Sequence, residues 1–199
     1  MPRTMAASAL SDALVGSDQQ VDSRTDHELV AAVNAGDPDA FDALYFRYRD
    51  WVAGLAARFT GDEDLALDAM QETFLYLLRK FPGFRLTASM KTFLYPAVKN
   101  LSIAARKKAA RYQSSEGSAE ALERAPAPPA PPGGDDLAAV LAGLSEEHRE
   151  TLLLRFVDGL SLAEIAVALE VPLGTVKSRL HNALAELRRD PRTREFFEQ

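Results

Sequence analysis

Apolar residues recur along most of this chain at the spacing of an α-helix. Thr25-Asp-His-Glu28 is a capping box, which predicts a helix that begins there and stops near Gly36. Asp37-Pro38 supplies a cap and a first-turn proline for a second helix, which Gly61 ends. The buried stripe predicted for this second helix consists of Phe41, Leu44, Tyr48, Val52, Leu55 and Phe59.

A third helix is predicted from about Asp62 to Lys80. Its inward stripe is expected to hold Met70, Phe74, Leu77, Leu78 and Phe81. The opposite face carries Asp68, Gln71, Glu72, Leu75 and Arg79. Two carboxylates beside an exposed leucine are compatible with a protein-docking face. On the pattern alone, an ordinary solvated face with one stray leucine is favoured.

A fourth helix is predicted to start near Thr87 or Ser89 and to run to about Arg111. Pro96 lies inside it, so we expect a lost backbone hydrogen bond and a kink that costs about 3 kcal/mol. Aromatic residues alternate with cations around its start, at Phe84, Phe93 and Tyr95. Such rings can stack on unpaired bases or belong to the core, and for Phe93 the core is favoured.

Two short helices are predicted near the C-terminus. Ser161-Leu-Ala-Glu164 is a capping box for a helix from Ser161 to Leu169. Residues 171–189 follow, with an apolar stripe at Val176, Leu180, Leu184 and Leu187 and polar or basic residues on the other face. This arrangement is typical of a DNA-binding helix-turn-helix, although a helical hairpin that only packs would show a similar pattern.

The predicted helices fall into two groups, separated by a segment rich in proline. Residues 113–134 contain five of the eleven prolines, and no strand-like alternation occurs elsewhere. We therefore expect an all-α protein with two small helical domains on a flexible linker. The predicted units are a disordered tail at 1–24, domains at 25–112 and 135–190, the linker at 113–134 and a C-terminal tail at 191–199.

Charge is distributed unevenly along the chain. The net charge is −6, yet residues 79–111 hold nine basic residues and no acidic one. Such a block is typical of a surface that contacts a phosphate backbone, and a solvated, salt-bridged helix face is the alternative.

Composition excludes several kinds of site. There is no cysteine and no apolar run of the roughly 20 residues that a membrane helix needs, and the N-terminal stretch does not resemble a signal peptide. The three histidines are far apart in sequence, and no phosphate-binding loop, zinc-protease motif or nucleophile elbow occurs. We therefore expect no enzyme activity, no cofactor and no metal site, and the composition fits a reducing cytoplasm.

Three motifs in this order resemble bacterial RNA polymerase sigma factors of the extracytoplasmic-function subfamily. They are DAMQETFLYLL, FRLTASMKTFLYPAVKN and the helix-turn-helix that ends in GTVKSRL. The resemblance covers about residues 25–111 and 136–190, which would correspond to sigma regions 2 and 4. It implies a factor that binds core polymerase, recognises promoters, helps to melt DNA and directs transcription initiation.

The resemblance also implies roles for individual residues. The residues that would dock on the clamp of the largest polymerase subunit are Asp68, Gln71, Glu72 and Leu75. Those that would hold the minus-ten element are Arg85, Lys91, Lys99, Asn100, Arg106, Lys107, Lys108 and Arg111. Those that would read the minus-thirty-five element are Thr175, Lys177, Ser178, Arg179, His181 and Asn182. Further expected partners are the flap of the second-largest subunit, promoter DNA and an anti-sigma factor.

The chain departs from the family pattern in places, and other functions fit parts of it. Phe93 stands where members often carry tryptophan, Pro96 is unusual in the promoter-melting helix, and Asn182 replaces a frequent basic residue. Asn can pair with adenine, so we expect a different base preference at this position. The alternatives are a helix-turn-helix regulator that acts without polymerase and a helical adaptor that binds only proteins. Because the free chain is acidic overall, we expect weak promoter binding until polymerase holds both domains in place.

Overall fold

The computed structural model describes residues 22–115 and 135–193, and these residues form eight α-helices and no strand. The all-α prediction is therefore confirmed. The helices are α1 (Asp26–Asn34), α2 (Pro38–Thr60), α3 (Glu63–Leu78), α4 (Met90–Ser115), α5 (Asp135–Gly143), α6 (Glu146–Phe156), α7 (Leu162–Ala168) and α8 (Leu173–Arg189). The first four build the N-terminal domain and the last four build the C-terminal domain. Most of the predicted linker, 116–134, lies outside the described residues.

Helix starts follow the capping residues in the sequence. Thr25 and Glu28 form the predicted capping box at α1, and Ser161 and Glu164 form the one at α7. Asp37 caps α2 with Pro38 in its first turn, and α2 ends at Gly61 in the left-handed conformation, with a φ of 71°. Each of these predicted boundaries is confirmed.

The N-terminal domain packs α1, α3 and α4 around the long helix α2. Leu29, Leu44, Val52 and Leu77 are buried at its centre, together with Leu94 of α4. The predicted stripe of α3 is right for Phe74 and Leu77 and wrong for Leu78, which is 46% exposed. Leu78 is the last residue of α3, where the chain turns away and no neighbouring helix covers its side chain.

Helix α4 continues through Pro96. Because proline carries no backbone N–H, the carbonyl of Thr92 has no helical donor four residues later. The helix also runs to Ser115, which is three residues into the segment assigned to the linker from sequence.

The C-terminal domain has its own small core and also shares one with the N-terminal domain. Val140, Leu141 and Leu187 belong to a cluster confined to the C-terminal domain. Ile165, Val176 and other residues of α6 to α8 join the cluster that contains the N-terminal core. The two domains therefore pack against each other, chiefly through α4 and α7.

Residues 22–24 and 191–193 were assigned to the tails from sequence, yet they contain side chains and backbone groups that contact the helical domains. Arg47 Nη2 donates to the carbonyl of Asp22 at 2.7 Å, and Arg24 pairs with Asp37 at 3.0 Å. Thr193, beyond the end of α8, is buried and its hydroxyl donates to the carbonyl of Leu187. The remainder of the predicted tails, 1–21 and 194–199, lies outside the described residues. Within the described part of the chain, no helix is long and apolar enough to cross a membrane.

Candidate DNA and protein interfaces

Helices α7 and α8 form the predicted helix-turn-helix. The turn between them passes through Glu170, which adopts a left-handed φ of 54°, before Pro172 leads into α8. Val176, Ala183 and Leu187 anchor α8 in the core, while Leu180 and Leu184 of the predicted stripe are half-buried. The opposite side of α8 is left to solvent.

Most of the predicted minus-thirty-five residues lie on that solvent-facing side. Lys177, Ser178, His181 and Asn182 are exposed, and Thr175 is half-buried near the helix start. Arg179 is half-buried because its guanidinium pairs with Glu147 of α6 at 2.9 Å. All six lie on one helix and present donors and acceptors of the kinds that read base edges.

The predicted minus-ten residues divide into two groups by what they contact. Arg85, Asn100, Lys107, Lys108 and Arg111 are exposed around the start and outer surface of α4. The others are half-buried in contacts within the chain. Lys91 Nζ donates to the carbonyl of Asp158 at 2.7 Å, Lys99 pairs with Glu150, and Arg106 Nη1 donates to the carbonyl of Phe59 at 2.9 Å.

Aromatic rings near the start of α4 cluster with one another. Phe93 stacks on Tyr76 with 6.0 Å between ring centroids, and Phe84 approaches Phe93 at 4.6 Å. Both phenylalanines pack against the core while remaining partly exposed, which agrees with the core role favoured for Phe93. The idea that Tyr95 stacks on a base is wrong for this conformation, since Tyr95 is 1% exposed beneath α6. This burial, with the nearby charge of Glu150, raises the pKa of Tyr95.

Asn34 fixes the loop that precedes α4, a role that no local sequence pattern indicates. Its Oδ1 accepts from the backbone N–H groups of Gly83 and Phe84 at 2.6 and 3.1 Å. Its Nδ2 donates to the carbonyl of Phe84 at 2.8 Å. These bonds connect the end of α1 to a loop about 50 residues later, immediately before Arg85.

The outer face of α3 is more apolar than its sequence pattern suggested. Asp68, Gln71, Glu72 and Leu75 are all exposed, as a docking face requires. Leu67 and Leu78, 49% and 46% exposed, fall on the same side as Leu75 by helical spacing. The face thus combines three exposed leucines with two carboxylates. Sequence reasoning missed the width of this patch because it placed Leu78 inward.

Acidic residues of the C-terminal domain meet cations of the N-terminal domain. Asp158, in the loop between α6 and α7, is the one charged residue among the buried residues of the described chain. Arg58 Nη2 donates to both of its carboxylate oxygens at 2.7 Å, and Trp51 Nε1 donates to Oδ1 at 2.8 Å. Glu150 of α6 accepts from Tyr95 as well as from Lys99. Neither acid was singled out from the sequence, where nothing local marks them.

A further carboxylate, Glu164, lies at the same boundary. Hydrogen bonds from Ser89, and then from Ser161, lower its pKa. Ser89 belongs to the turn before α4, so this cap of α7 also contacts the N-terminal domain. Between the domains lies an open cleft of about 470 Å³, lined by Phe93, Pro96 and Asn100 on one side and by Val167 and Glu170 on the other.

Family matches cover both domains. Residues 44–112 match Sigma-70 region 2 and residues 134–187 match Sigma-70, region 4. The chain is 33% identical over 174 residues to the RNA polymerase sigma-H factor of Pseudomonas aeruginosa, covering 79% of this chain and 89% of that protein. It is 32% identical over 173 residues to the ECF RNA polymerase sigma-E factor of Escherichia coli K12, covering 80% and 90% respectively.

Solved structures share the fold. The sigma factor RpoE of Bartonella quintana, in complex with the anti-sigma factor NepR, aligns with a TM-score of 0.55 and 25% identity over 74% of this chain and 94% of that one. CnrH, in complex with the cytosolic domain of CnrY, aligns with a TM-score of 0.59 and 23% identity over 81% and 93%. From its two domains and its relatives, this chain belongs to the extracytoplasmic-function sigma factors of the sigma-70 family, which direct RNA polymerase to initiate transcription.

Proposed function

We propose that this sigma factor uses three separate surfaces to bring polymerase to a promoter. The outer face of α3 binds core polymerase, the basic surface around α4 holds the minus-ten element, and the outward face of α8 reads the minus-thirty-five element. The observation that carries the proposal is what α3 and α8 expose once their apolar sides are packed. Helix α3 exposes leucines and carboxylates, which suit a protein partner, and α8 exposes polar and basic residues, which suit DNA.

The polymerase-binding residues are Asp68, Gln71, Glu72 and Leu75, and the partner surface is the clamp of the largest subunit. Burial of the 43% of Leu75 that is still exposed would contribute about 1 kcal/mol, and Leu67 and Leu78 widen the apolar patch. The two carboxylates would give the contact its orientation and would favour a basic partner surface.

The minus-ten element would be held mainly through its phosphates. The residues proposed for this role are Arg85, Lys91, Lys99, Asn100, Arg106, Lys107, Lys108 and Arg111. Arg85 directly follows the half-exposed Phe84, and Asn100 lines the same cleft as Phe93, so this end of the surface suits a strand whose bases have left the duplex. Flipping one such base out of the stack would help to open the DNA.

The minus-thirty-five element would be read in the major groove by α8. The residues proposed are Thr175, Lys177, Ser178, Arg179, His181 and Asn182. Arg179 would exchange Glu147 for a base or a phosphate, and the cost is small because a partly exposed ion pair contributes only about 0–1 kcal/mol. Asn182 can form a bidentate pair with adenine, which would alter base preference at that position.

The chain would add no chemistry of its own. Polymerase forms the phosphodiester bonds, and this factor selects the start site in the cytoplasm without a cofactor.

The exposed Phe156 and Val157 at the end of α6 offer an apolar contact for the flap of the second-largest subunit. An anti-sigma factor is a further proposed partner, because a sigma factor of the same fold has been solved in complex with one.

Promoter-dependent transcription with purified core polymerase tests this proposal. Wild type should stimulate initiation from a genomic template pool. Glu72→Lys should weaken assembly with core polymerase by about tenfold or more, since a like charge at an interface costs several kcal/mol. Asp42→Lys makes the same charge change at an exposed position of α2, outside the proposed polymerase-binding residues, and should leave assembly near wild type.

Arg179→Ala separates DNA reading from assembly. Loss of one base contact costs about 1–3 kcal/mol, so upstream-element recognition should fall while binding to core polymerase is unchanged. Arg189→Ala, at the last residue of α8, is the matched control. Failure of wild type to stimulate initiation from any template in the pool would refute the proposed function.

A further inference from the structure

The exposed leucines of α3 form a seam of the width that a single helix covers. Leu67, Leu75 and Leu78 are between 43% and 49% exposed, and the exposed Gln71 occupies the remaining position of the series. Successive members are four, four and three positions apart, so all of them lie within one narrow strip of the helix surface. This spacing is typical of a helix that pairs with another helix through an apolar stripe.

Charge is divided between the two ends of this seam. Asp68 lies next to Leu67 in the N-terminal half of α3, and Arg79 lies next to Leu78, just past the C-terminal end of the helix. Both side chains are exposed, and they fall on the same flank of the seam because eleven residues make about three helical turns. One flank of the seam is therefore negative at one end and positive at the other.

A second copy of this face complements the first when the two helices run antiparallel. Leu67 of one copy then lies opposite Leu78 of the other, and Gln71 lies opposite Leu75, so every position of the seam has a partner. Such a pairing is isologous, which means that each contact occurs twice about a two-fold axis.

The charges select this direction of pairing. In the antiparallel register, Asp68 of each copy approaches Arg79 of the other. A parallel pairing would instead set Asp68 against Asp68 and Arg79 against Arg79, and these like charges repel.

We propose that the free chain forms an antiparallel dimer through the outer face of α3, with the leucine seam at its centre and Asp68 paired with Arg79 of the second copy at each end. The dimer covers residues proposed to bind core polymerase, so the two partners compete for one face. The competition rests on the proposed polymerase-binding role of this face, whereas the dimer itself does not.

The dimer is weak and reversible. Its seam takes four residues from each copy, whereas a standard protein interface uses about 20–30 residues a side. Gln71 adds a polar position to the seam, and Glu72 approaches Glu72 of the second copy near the two-fold axis, where like charges repel. Such an interface shields the leucines from water in the free chain and yields to a larger surface on polymerase.

Sedimentation velocity of the full chain tests the dimer without polymerase. The sedimentation coefficient of the wild type should rise between micromolar and millimolar concentration. D68R and R79E each place like charges at both ends of the seam, so each should weaken the dimer by about tenfold or more. D42R makes the same charge change as D68R at an exposed position of α2 and should sediment like the wild type.

The two variants should also complement each other. In a mixture of D68R chains with R79E chains, opposite charges face each other again at both ends, so association should return to about the wild-type level. The double variant D68R/R79E exchanges the two charges within one chain and should form a dimer by itself. Circular dichroism of each variant should show wild-type helicity, and the restored pairing excludes a loss of structure as the cause of the single-variant effects.

Three results would overturn the inference. A wild type that stays monomeric at every concentration would mean that the face does not associate with itself. A dimer that resists both D68R and R79E would use another surface. A mixture of the two variants that stays monomeric would exclude the antiparallel register.

Competition with polymerase is measured in a separate assay. Added core polymerase should convert the dimer into complexes that each hold one copy of the chain, and complexes with two copies would exclude the competition. Failure of the wild type to bind polymerase would refute the proposed function and would leave the sedimentation result unchanged, so the two failures are distinguishable.

Discussion

The side-chain amide of Asn34 joins two segments that are distant in sequence. With three hydrogen bonds it satisfies both backbone groups of Phe84 and the N–H of Gly83. Backbone groups that lose such a partner must find water or remain unpaired, at a cost of about 1–3 kcal/mol when they are shielded. The position of Arg85, the next residue, therefore depends on a side chain at the end of α1.

Asn34→Ala should destabilise the chain by about 1–3 kcal/mol and should also weaken minus-ten recognition. Urea unfolding measures the loss of stability. The ratio of transcription from a promoter with an intact minus-ten element to transcription from one with a mutated element measures recognition, and this ratio should fall. Asn34→Asp keeps the acceptor for the N–H groups of Gly83 and Phe84 but sets a carboxylate oxygen against the carbonyl of Phe84, so it should also be destabilised and isolates the role of the donor. An Asn34→Ala midpoint equal to that of wild type would mean that water replaces these bonds without penalty.

Tyr95 predicts how stability depends on alkaline pH. Burial raises its pKa in the folded chain, whereas an unfolded tyrosine titrates near 10. Above pH 10 the unfolded state therefore binds fewer protons than the folded state, and the free energy of unfolding falls by about 1.4 kcal/mol per pH unit for this group. Below pH 10 the stabilisation is fully present.

The test compares urea unfolding of wild type and Tyr95→Phe between pH 9 and pH 11.5. The variant lacks the ionisable group, so its stability should decline less steeply above pH 10, whatever offset it shows at neutral pH. Other tyrosines and lysines titrate in both proteins and cancel in the difference. Parallel curves would contradict the assignment of a raised pKa to Tyr95.

At the scale of single elements, α4 contains a residue that disfavours a helix, Pro96. Pro96, the seventh residue of this 26-residue helix, removes one backbone hydrogen bond, and it also lines the cleft between the domains. Pro96→Ala should restore a donor to the carbonyl of Thr92 and raise the free energy of unfolding by about 1–3 kcal/mol. Thermal and urea unfolding measure this gain.

Pro96→Gly separates the hydrogen bond from helix propensity. Glycine also restores the N–H but is less favourable than alanine by about 1 kcal/mol in a helix interior, so it should fall between wild type and Pro96→Ala. A lower midpoint for Pro96→Ala than for wild type would instead mean that the ring contributes more to packing in the cleft than the lost hydrogen bond costs.

The sequence predicted these elements correctly where the residues that determine them lie within a few positions of one another. The capping boxes at Thr25 and Ser161 lie within four residues, and both were read correctly. Leu78 was misplaced because periodicity does not show where the last turn of a helix leaves its neighbours. The surroundings of Tyr95 and Asp158 could not be predicted, since they come from residues 55 and about 100 positions away.

At the scale of the whole molecule, charge and apolar packing act together at the boundary between domains. The basic block of 79–111 meets Glu150, Asp158 and Glu164 from the acidic C-terminal part of the chain. Ile165 and Val176 join the same buried cluster as Leu94. Exposed ion pairs contribute little and a buried pair must offset its desolvation, so the apolar contact supplies most of the stability and the acids determine which surfaces meet.

Because the packed domains occupy Lys91 and Lys99, which are proposed to hold the minus-ten element, a chain whose domains cannot separate should be inactive on polymerase. Thr87 and Val167 are both exposed, line opposite walls of the cleft and belong to none of the proposed binding surfaces. Thr87→Cys with Val167→Cys in this cysteine-free chain would let a short, reducible thiol cross-linker join the two domains. The cross-linked protein should fail to stimulate transcription, and a reductant should restore wild-type stimulation, because only the tether has been removed. Each single-cysteine variant, treated with the same reagent, should remain active throughout. Full activity of the cross-linked protein would show that transcription proceeds with the domains held together, and that polymerase does not need to separate them.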